Sequence, residues 1–305
     1  GSMINGRRYN VGALLTNGNV ITVNGRILDC TALNLTISET TELYNVAAGT
    51  WSSTGNTVIE RQKHRIVTLL NGTPMVVGGG QDNLDTTPIA ELYDVNTGTW
   101  TATGSMTAKK ADFEMKVLPS GKVIMAGGTS TGSSTGQTNT SEIYDNVAGT
   151  WSSAGTFTTA RYFHRSAILA DGSFMIGGGN SGSTTLSSVN IYSIPPVSTA
   201  QSASSVTATT ATLNGTITHT GGQTPTVRGF NYGTTTGYGT NTTENGSFST
   251  GAYTANITGL TCGTTYHYRT YATNTEGTDY SADATFTTGS CDSTAPTISE
   301  VTPVT

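Results

Sequence analysis

Charge is what this chain has least of. Asp, Glu, Lys and Arg together make up 11% of its 305 residues, where about 25% is usual. The 14 Lys and Arg are scattered and the formal net charge is -5. That balance argues against a nucleic-acid partner, which needs a basic face. No apolar run approaches the ~18 residues of a membrane-spanning helix, so membrane insertion is not expected. No long stretch carries apolar residues at helical spacing either. Apolar residues come instead in short alternating bursts between Gly, Thr, Ser and Asn. Many short strands joined by such turns predict an all-β protein, and the length suggests roughly two domains.

One phrase organises the first two-thirds. ELYNVAAGTW (Glu42 to Trp51) returns as ELYDVNTGTW (Glu91 to Trp100) and EIYDNVAGTW (Glu142 to Trp151), and a worn copy reads NIYSIPPV (Asn190 to Val197). Tyr44, Tyr93, Tyr144 and Tyr192 stand 49, 51 and 48 residues apart. A fixed period near 50 marks a repeat architecture. Each repeat opens on a small-residue turn at Gly1, Gly55, Gly104 or Gly155. A cation follows six residues on: Arg7, Arg61, Lys110, Arg161. Three further on stands Asn10, His64, Phe113 or His164. Then come an apolar strand, a turn ending at Gly18, Gly72, Gly121 or Gly172, and a second apolar strand. The turn pairs Asn-Gly, Ser-Gly and Asp-Gly predict tight hairpins with both central residues at positive φ. The second strand ends in a diglycine, degraded to Asn24-Gly25 in the first copy. A variable loop, the Glu-x-Tyr strand and the Trp strand complete the repeat.

Four short antiparallel strands per repeat suit a β-propeller blade, with Tyr and Trp supplying apolar area between blades. The ordered set of Arg-x-x-His, Gly-Gly, Glu-x-Tyr and Trp resembles the kelch repeat over about residues 1–197. Local departures are Asn10, Phe113 and Lys110, and no Trp follows Tyr192. Kelch propellers usually have six or seven blades. The resemblance therefore implies an incomplete set of four, short by ~2 to 3 blades. Gly1-Ser2-Met3 is read as native, because it aligns with Gly104-Ser105-Met106; the other reading is a cloning scar.

The period stops near Pro195-Pro196. Five or more short strands in residues 198–291 read as a β-sandwich. Leu260 to Gly277 resembles a fibronectin type III module, with Leu260, Gly263 and Tyr266 matching its tyrosine corner. The usual Trp of the second strand is absent, and Leu213 is the expected core substitute. Residues 292–305 resemble the first strand of a further Ig-like module. Such a multidomain protein is expected to be bacterial and extracellular, secreted or on the cell surface, with further modules at both ends. Cys262 and Cys291 lie at the edges of the sandwich. A bridge between them would tie the last strand to its own sheet, as a secreted setting favours; two reduced thiols are the other reading. Cys30 has no evident mate.

No catalytic residue is expected. Gly128-Thr-Ser-Thr-Gly132 matches a nucleophile-elbow spacing, but no helix follows it. His64 and His164 hold equivalent repeat positions, as a structural role predicts, and no His/Cys cluster has metal spacing. Asp82 and Asp85 offer at most weak Ca²⁺ ligands. No cofactor is expected. One alternative is a fragment of an extracellular carbohydrate-active or galactose-oxidase-like enzyme; galactose oxidase, a copper enzyme, also joins a kelch propeller to a β-sandwich. The resemblance implies tyrosine and histidine ligands and a cysteine crosslink. Here the only propeller cysteine is Cys30, and the only Tyr-His pair, Tyr266-His267, lies in the sandwich. Binding is the favoured function, with a protein or glycan ligand. The variable loops Gln81 to Ile89, Thr129 to Thr140 and Asn180 to Ser188 are expected on one face. Arg7, Arg8, Arg61, Lys109, Lys110 and Arg161 are expected there too. Two readings of the cations stay open: a basic ring for an anion, or pairing with Glu42, Glu91 and Glu142 inside each repeat. A structural stalk is the third functional reading.

Overall fold

The computed structural model describes residues 1–29, 34–81 and 85–292. Its described residues form antiparallel β-sheets and no helix. Backbone contacts divide the chain into two compact units, Gly1–Tyr192 and Ser193–Thr305. Pro195-Pro196 lies just past that division.

The first unit holds the four repeats. Repeat 1 is the sheet Val11–Leu14, Val20–Val23, Thr41–Asn45, Thr50–Thr54, paired in that order. Repeat 2 is Arg65–Thr68, Pro74–Val77, Ala90–Asp94, Thr99–Ala102. Repeat 3 is Glu114–Val117, Val123–Ala126, Thr140–Asp145, Thr150–Thr156. Repeat 4 has the three-stranded sheet Arg165–Ile168, Phe174–Gly177, Val189–Tyr192, with a separate two-stranded sheet of Asn180–Ser181 and Thr184–Thr185. Repeat 1 also carries a small sheet of Arg7–Arg8, Arg26–Asp29 and Asn34–Ile37.

The first hairpins differ from expectation. Only the glycine has positive φ: Gly18 at 83°, Gly72 at 87°, Gly121 at 85°, Gly172 at 88°. Leu15 N–H donates to Asn19 O, and Gly18 N–H to Leu15 O. This is a three-residue loop, a turn followed by one left-handed glycine. The residue before the glycine has another job. The side chains of Asn17, Asn71 and Asp171 accept the backbone N–H two residues on.

Each Tyr lies directly across from its Trp, at 5.1, 5.1 and 5.2 Å between ring centroids. The pairs of repeats 2 and 3 fill the seams with the repeat before. Tyr93 and Trp100 pack on Ile21 and Val23 of repeat 1. Tyr144 and Trp151 pack on Met75 and Val77 of repeat 2. The Tyr hydroxyls bond across the seam, Tyr93 Oη to Thr54 Oγ1 and Tyr144 Oη to Thr103 Oγ1, both at 2.6 Å.

The diglycine lies against the next repeat. Gly78 and Gly79 take φ of 60° and 100°, and the degraded copy Asn24-Gly25 takes 51° and 97°. Asn keeps the left-handed turn because it tolerates that region better than other side chains. A Cβ on Gly78 would lie 2.7 Å from both Lys110 O and the Phe113 ring of the next repeat. The second residue donates its N–H to the next repeat's cation carbonyl: Gly25 to Arg61 O, Gly79 to Lys110 O, Gly128 to Arg161 O.

The second unit contains two sheets around one core. Val197–Ser204, Thr210–His219 and Gly251–Thr258 form the first. In the other, Thr265–Asn274 is flanked by Val227–Gly233 on one side and by Gly277–Tyr280 and Ala284–Thr287 on the other. Thr240–Asn245 pairs at the edge. Leu213, Ile217, Phe230, Tyr253 and Tyr268 bury together, so Leu213 is a core residue. The Thr261 N–H donates to Tyr266 Oη at 3.0 Å. Cys262 and Cys291 are joined by a disulfide, with Cα atoms 5.1 Å apart. Cys30 and residues 293–305 lie outside the described residues.

Candidate functional site

The structure puts the repeated cations inside the repeats, not on an open face. Arg7, Arg61 and Lys110 have side chains at most 1% exposed, and Arg161 is fully buried. They therefore cannot form a solvated basic ring. Arg7 pairs with Glu42 at 2.7 Å, Arg61 with Glu91, and Lys110 with Glu142 at 3.7 Å. In repeat 4 Asn190 replaces the Glu, and its Oδ1 accepts from Arg161 at 2.8 Å.

Each arginine also bridges two carbonyls. Arg61 Nη1 donates to Gly78 O and Ile89 O, both at 3.0 Å. Arg7 Nη1 does the same to Asn24 O and Thr40 O, and Arg161 Nη1 to Gly178 O and Ser188 O. Lys110 reaches Thr140 O at 3.4 Å. Those carbonyls lie at the end of the second strand and the approach to the third. The cation thus clamps the neck of the variable loop between them.

Burial shapes the charges. It pushes Arg61 and Lys110 down from their usual values, against the opposing pull of Glu91 and Glu142. Burial alone also lowers Arg161, which has no carboxylate. For Glu42 burial pushes up, but Arg7 and the Ile4 and Asn5 amides outweigh it and hold the carboxyl below the usual range.

The histidines are seam residues. His64 Nε2 lies 3.2 Å from Val23 O of repeat 1. His164 lies against Gly127, where a Cβ would be 2.7 Å from its Cε1. Phe113 fills the same place against Gly78. Burial depresses both imidazoles, His164 to about 4, so they stand neutral at pH 7.

The variable loops sit on these necks. Adjacent loops touch: Thr86 Oγ1 donates to Ser130 O at 2.7 Å, and Lys63 Nζ to Gly132 O at 2.8 Å. Asp85 is exposed and pairs with exposed Lys109. Lys109 holds Asp85 below the usual carboxylate range. Asp82 lies outside the described residues. Among the described residues no three His, Cys, Asp or Glu side chains converge as metal ligands. Tyr266 is buried in the core, and His267 pairs with Asp283 at 2.7 Å. Ser130 sits in a loop whose N–H donates to Gly136 O, with no helix behind it.

One feature was missed by sequence reasoning. The residue before each His position is left-handed: Tyr9 at φ 58°, Lys63 at 57°, Asp112 at 54°, Phe163 at 55°. Only Asp112 is of a type enriched in that region, so the four positions share no local signal. Two of them, Tyr9 and Phe163, are half exposed.

No protein-family model matches this chain, and no curated protein matches it either.

Proposed function

We propose that the chain is a non-catalytic recognition segment of an extracellular modular protein. In this reading residues 1–192 are kelch-type propeller blades, and the second unit is a fibronectin type III-like sandwich serving as spacer or adhesive module. The Tyr266 bond to the Thr261 N–H supports the second assignment, since such a bond defines a tyrosine corner. The disulfide supports an oxidising, extracellular setting.

The loop necks carry the functional reading. A buried arginine holds the same two carbonyl positions in repeats 1, 2 and 4, and Lys110 holds one of them in repeat 3, while the loop beyond differs each time. A frame that is repeated and loops that are not is the arrangement of a recognition surface. The loops are rich in Thr, Ser and Asn, with exposed Tyr9 and Phe163 beside them. Hydroxyls and amides with a few aromatic faces suit a protein or glycan ligand.

The test is a panel of defined glycans and extracellular matrix proteins, titrated with the full chain. At least one class is expected to bind saturably, and to lose binding when Ser130–Gln137 is replaced by Gly-Ser linker. Binding that survives loop replacement, or none across the panel, overturns the reading and leaves a structural stalk.

A further inference from the structure

The first hairpin of each repeat lies beside the turn that follows its third strand. Continued past the last pairs of the ladder, the strand register sets three pairs of positions opposite each other: Asn19 and Asn45, Thr73 and Asp94, Lys122 and Asp145. Two repeats bridge that gap with a side chain. In repeat 1 Asn19 Oδ1 accepts the Val46 N–H at 3.2 Å. In repeat 3 Lys122 Nζ reaches the Asp145 carboxylate at 3.4 Å. In repeat 2 Thr73 is too short to cross, and among the described residues no Lys or Arg pairs with Asp94.

The uncrossed gap is a cleft of about 290 Å³. A single water needs only about 10–15 Å³ of such space, so the cleft admits a ligand of many atoms. Asp94 gives it its charge. The Asn96 N–H donates to Asp94 Oδ1 at 2.8 Å, and this bond, with others from Thr97, holds the carboxyl below its usual range. The carboxylate is exposed, so a cation from solution reaches it. Around it stand the hydroxyls of Thr16, Thr73 and Thr101 and the amides of Asn71 and Asn96. Such groups lose hydrogen bonds to water when apolar atoms cover them.

We propose that this cleft binds an amino sugar, whose primary ammonium takes at Asp94 the place that Lys122 takes at Asp145. The sugar hydroxyls meet the hydroxyls and amides of the wall, and Leu92 and Val95, also in the lining, offer apolar surface to the ring C–H groups. A lysine side chain brings the same ammonium but lays four methylenes over the polar wall, so the sugar is the better match. The cleft lies at the opposite end of its sheet from the neck that Arg61 clamps. It uses none of the variable loops and stands independently of the recognition reading above.

The test is an NMR titration of the full chain with a glucosamine trisaccharide and with its N-acetylated counterpart. The free amine should bind saturably and shift the amides of residues 71–73 and 94–97. The acetylated sugar, which has no ammonium, should bind roughly tenfold or more weakly. Asp94→Asn should weaken binding of the free amine by a similar factor. The turn survives that change, because Asn45 holds the same turn in repeat 1 with its Oδ1 accepting the Ala48 N–H. Thr73→Lys supplies an internal ammonium, as Lys122 does in repeat 3, and should abolish binding with an unchanged or raised melting temperature. No saturable binding, equal binding of the two sugars, or binding untouched by Asp94→Asn or Thr73→Lys overturns the proposal. So does lysine amide that binds as tightly as the trisaccharide, because the cleft then reads the ammonium and not the sugar.

Discussion

Individual side chains in this molecule do structural work with chemistry that usually signals function. A buried guanidinium, a buried carboxylate and a buried imidazole recur at fixed places, and their cost is met locally. Arg61 and Glu91 are both fully buried and face each other. Removing one partner leaves the other charge buried and unpaired, which costs about 3–5 kcal/mol. Glu91→Gln should therefore destabilise by that order in urea unfolding; a change under about 1 kcal/mol would mean the pair is hydrated. His164 gives a pH prediction with a definite sign. Burial lowers its folded value to about 4, with Arg161 and Arg65 adding to the effect and Glu114 opposing it. An unfolded His titrates near 6.5. Between those values the unfolded chain holds a proton that the folded chain refuses, so stability falls as pH drops from about 6.5 to about 4. Phe113 shows that Phe fits the equivalent place. His164→Phe should lose about 2 kcal/mol less stability than the parent between pH 7 and 4.5. Equal losses in parallel urea titrations would mean His164 is not a neutral buried group.

Each sheet is shaped by what it must meet in its neighbour, and the diglycine measures this. Gly78 and Gly178 have nearly the same backbone, φ 60° and 67°. A Cβ on Gly78 meets the next repeat at 2.7 Å, whereas on Gly178 the nearest atom is Leu186 O at 3.7 Å. Ala at either site carries the left-handed strain of about 1–2 kcal/mol. Only Gly78→Ala adds an overpacking term of about 1–3 kcal/mol. Thermal or urea unfolding of the two variants should separate them by that added amount, and equal losses would mean the seam yields. This level of structure was the most legible in sequence. The Tyr, Trp, Glu and Gly positions recur because each meets the same kind of partner in every copy: Tyr and Trp the preceding repeat, Glu the cation of its own repeat, Gly the next repeat. The left-handed residues Tyr9, Lys63, Asp112 and Phe163 were illegible, because their side chains share no chemistry. The hairpin loops were misread for a related reason. Asn-Gly permits two left-handed residues, but the Asn17 and Asn71 side chains bond forward and hold their own backbone right-handed. The candidate site was half legible: cation and carboxylate positions were visible, but their burial depended on packing between strands that spacing does not report.

The two compact units of the whole molecule draw on different sources of stability. The first has, among its described residues, no covalent tie, and relies on repeated seams: a Tyr-Trp pair in the first two, and in each a left-handed turn ending in Gly whose N–H meets the carbonyl of the next repeat's clamp cation. The second adds a disulfide between residues 29 apart in sequence. Cys262 lies in the turn before Thr265–Asn274, and Cys291 follows Ala284–Thr287, which pairs with it. The bridge therefore locks a strand pair already in register, and acts chiefly by narrowing the unfolded ensemble. A loop of this length is worth about 2–4 kcal/mol. Replacing both cysteines by Ser should lower the stability of the second unit by that amount and leave the first unchanged. Scanning calorimetry of the full chain reads both at once. The expected result is two transitions, of which one moves down by roughly 4–8 °C per kcal/mol lost. A single transition that moves as a whole would mean the units unfold together, and their stabilities are one quantity rather than two.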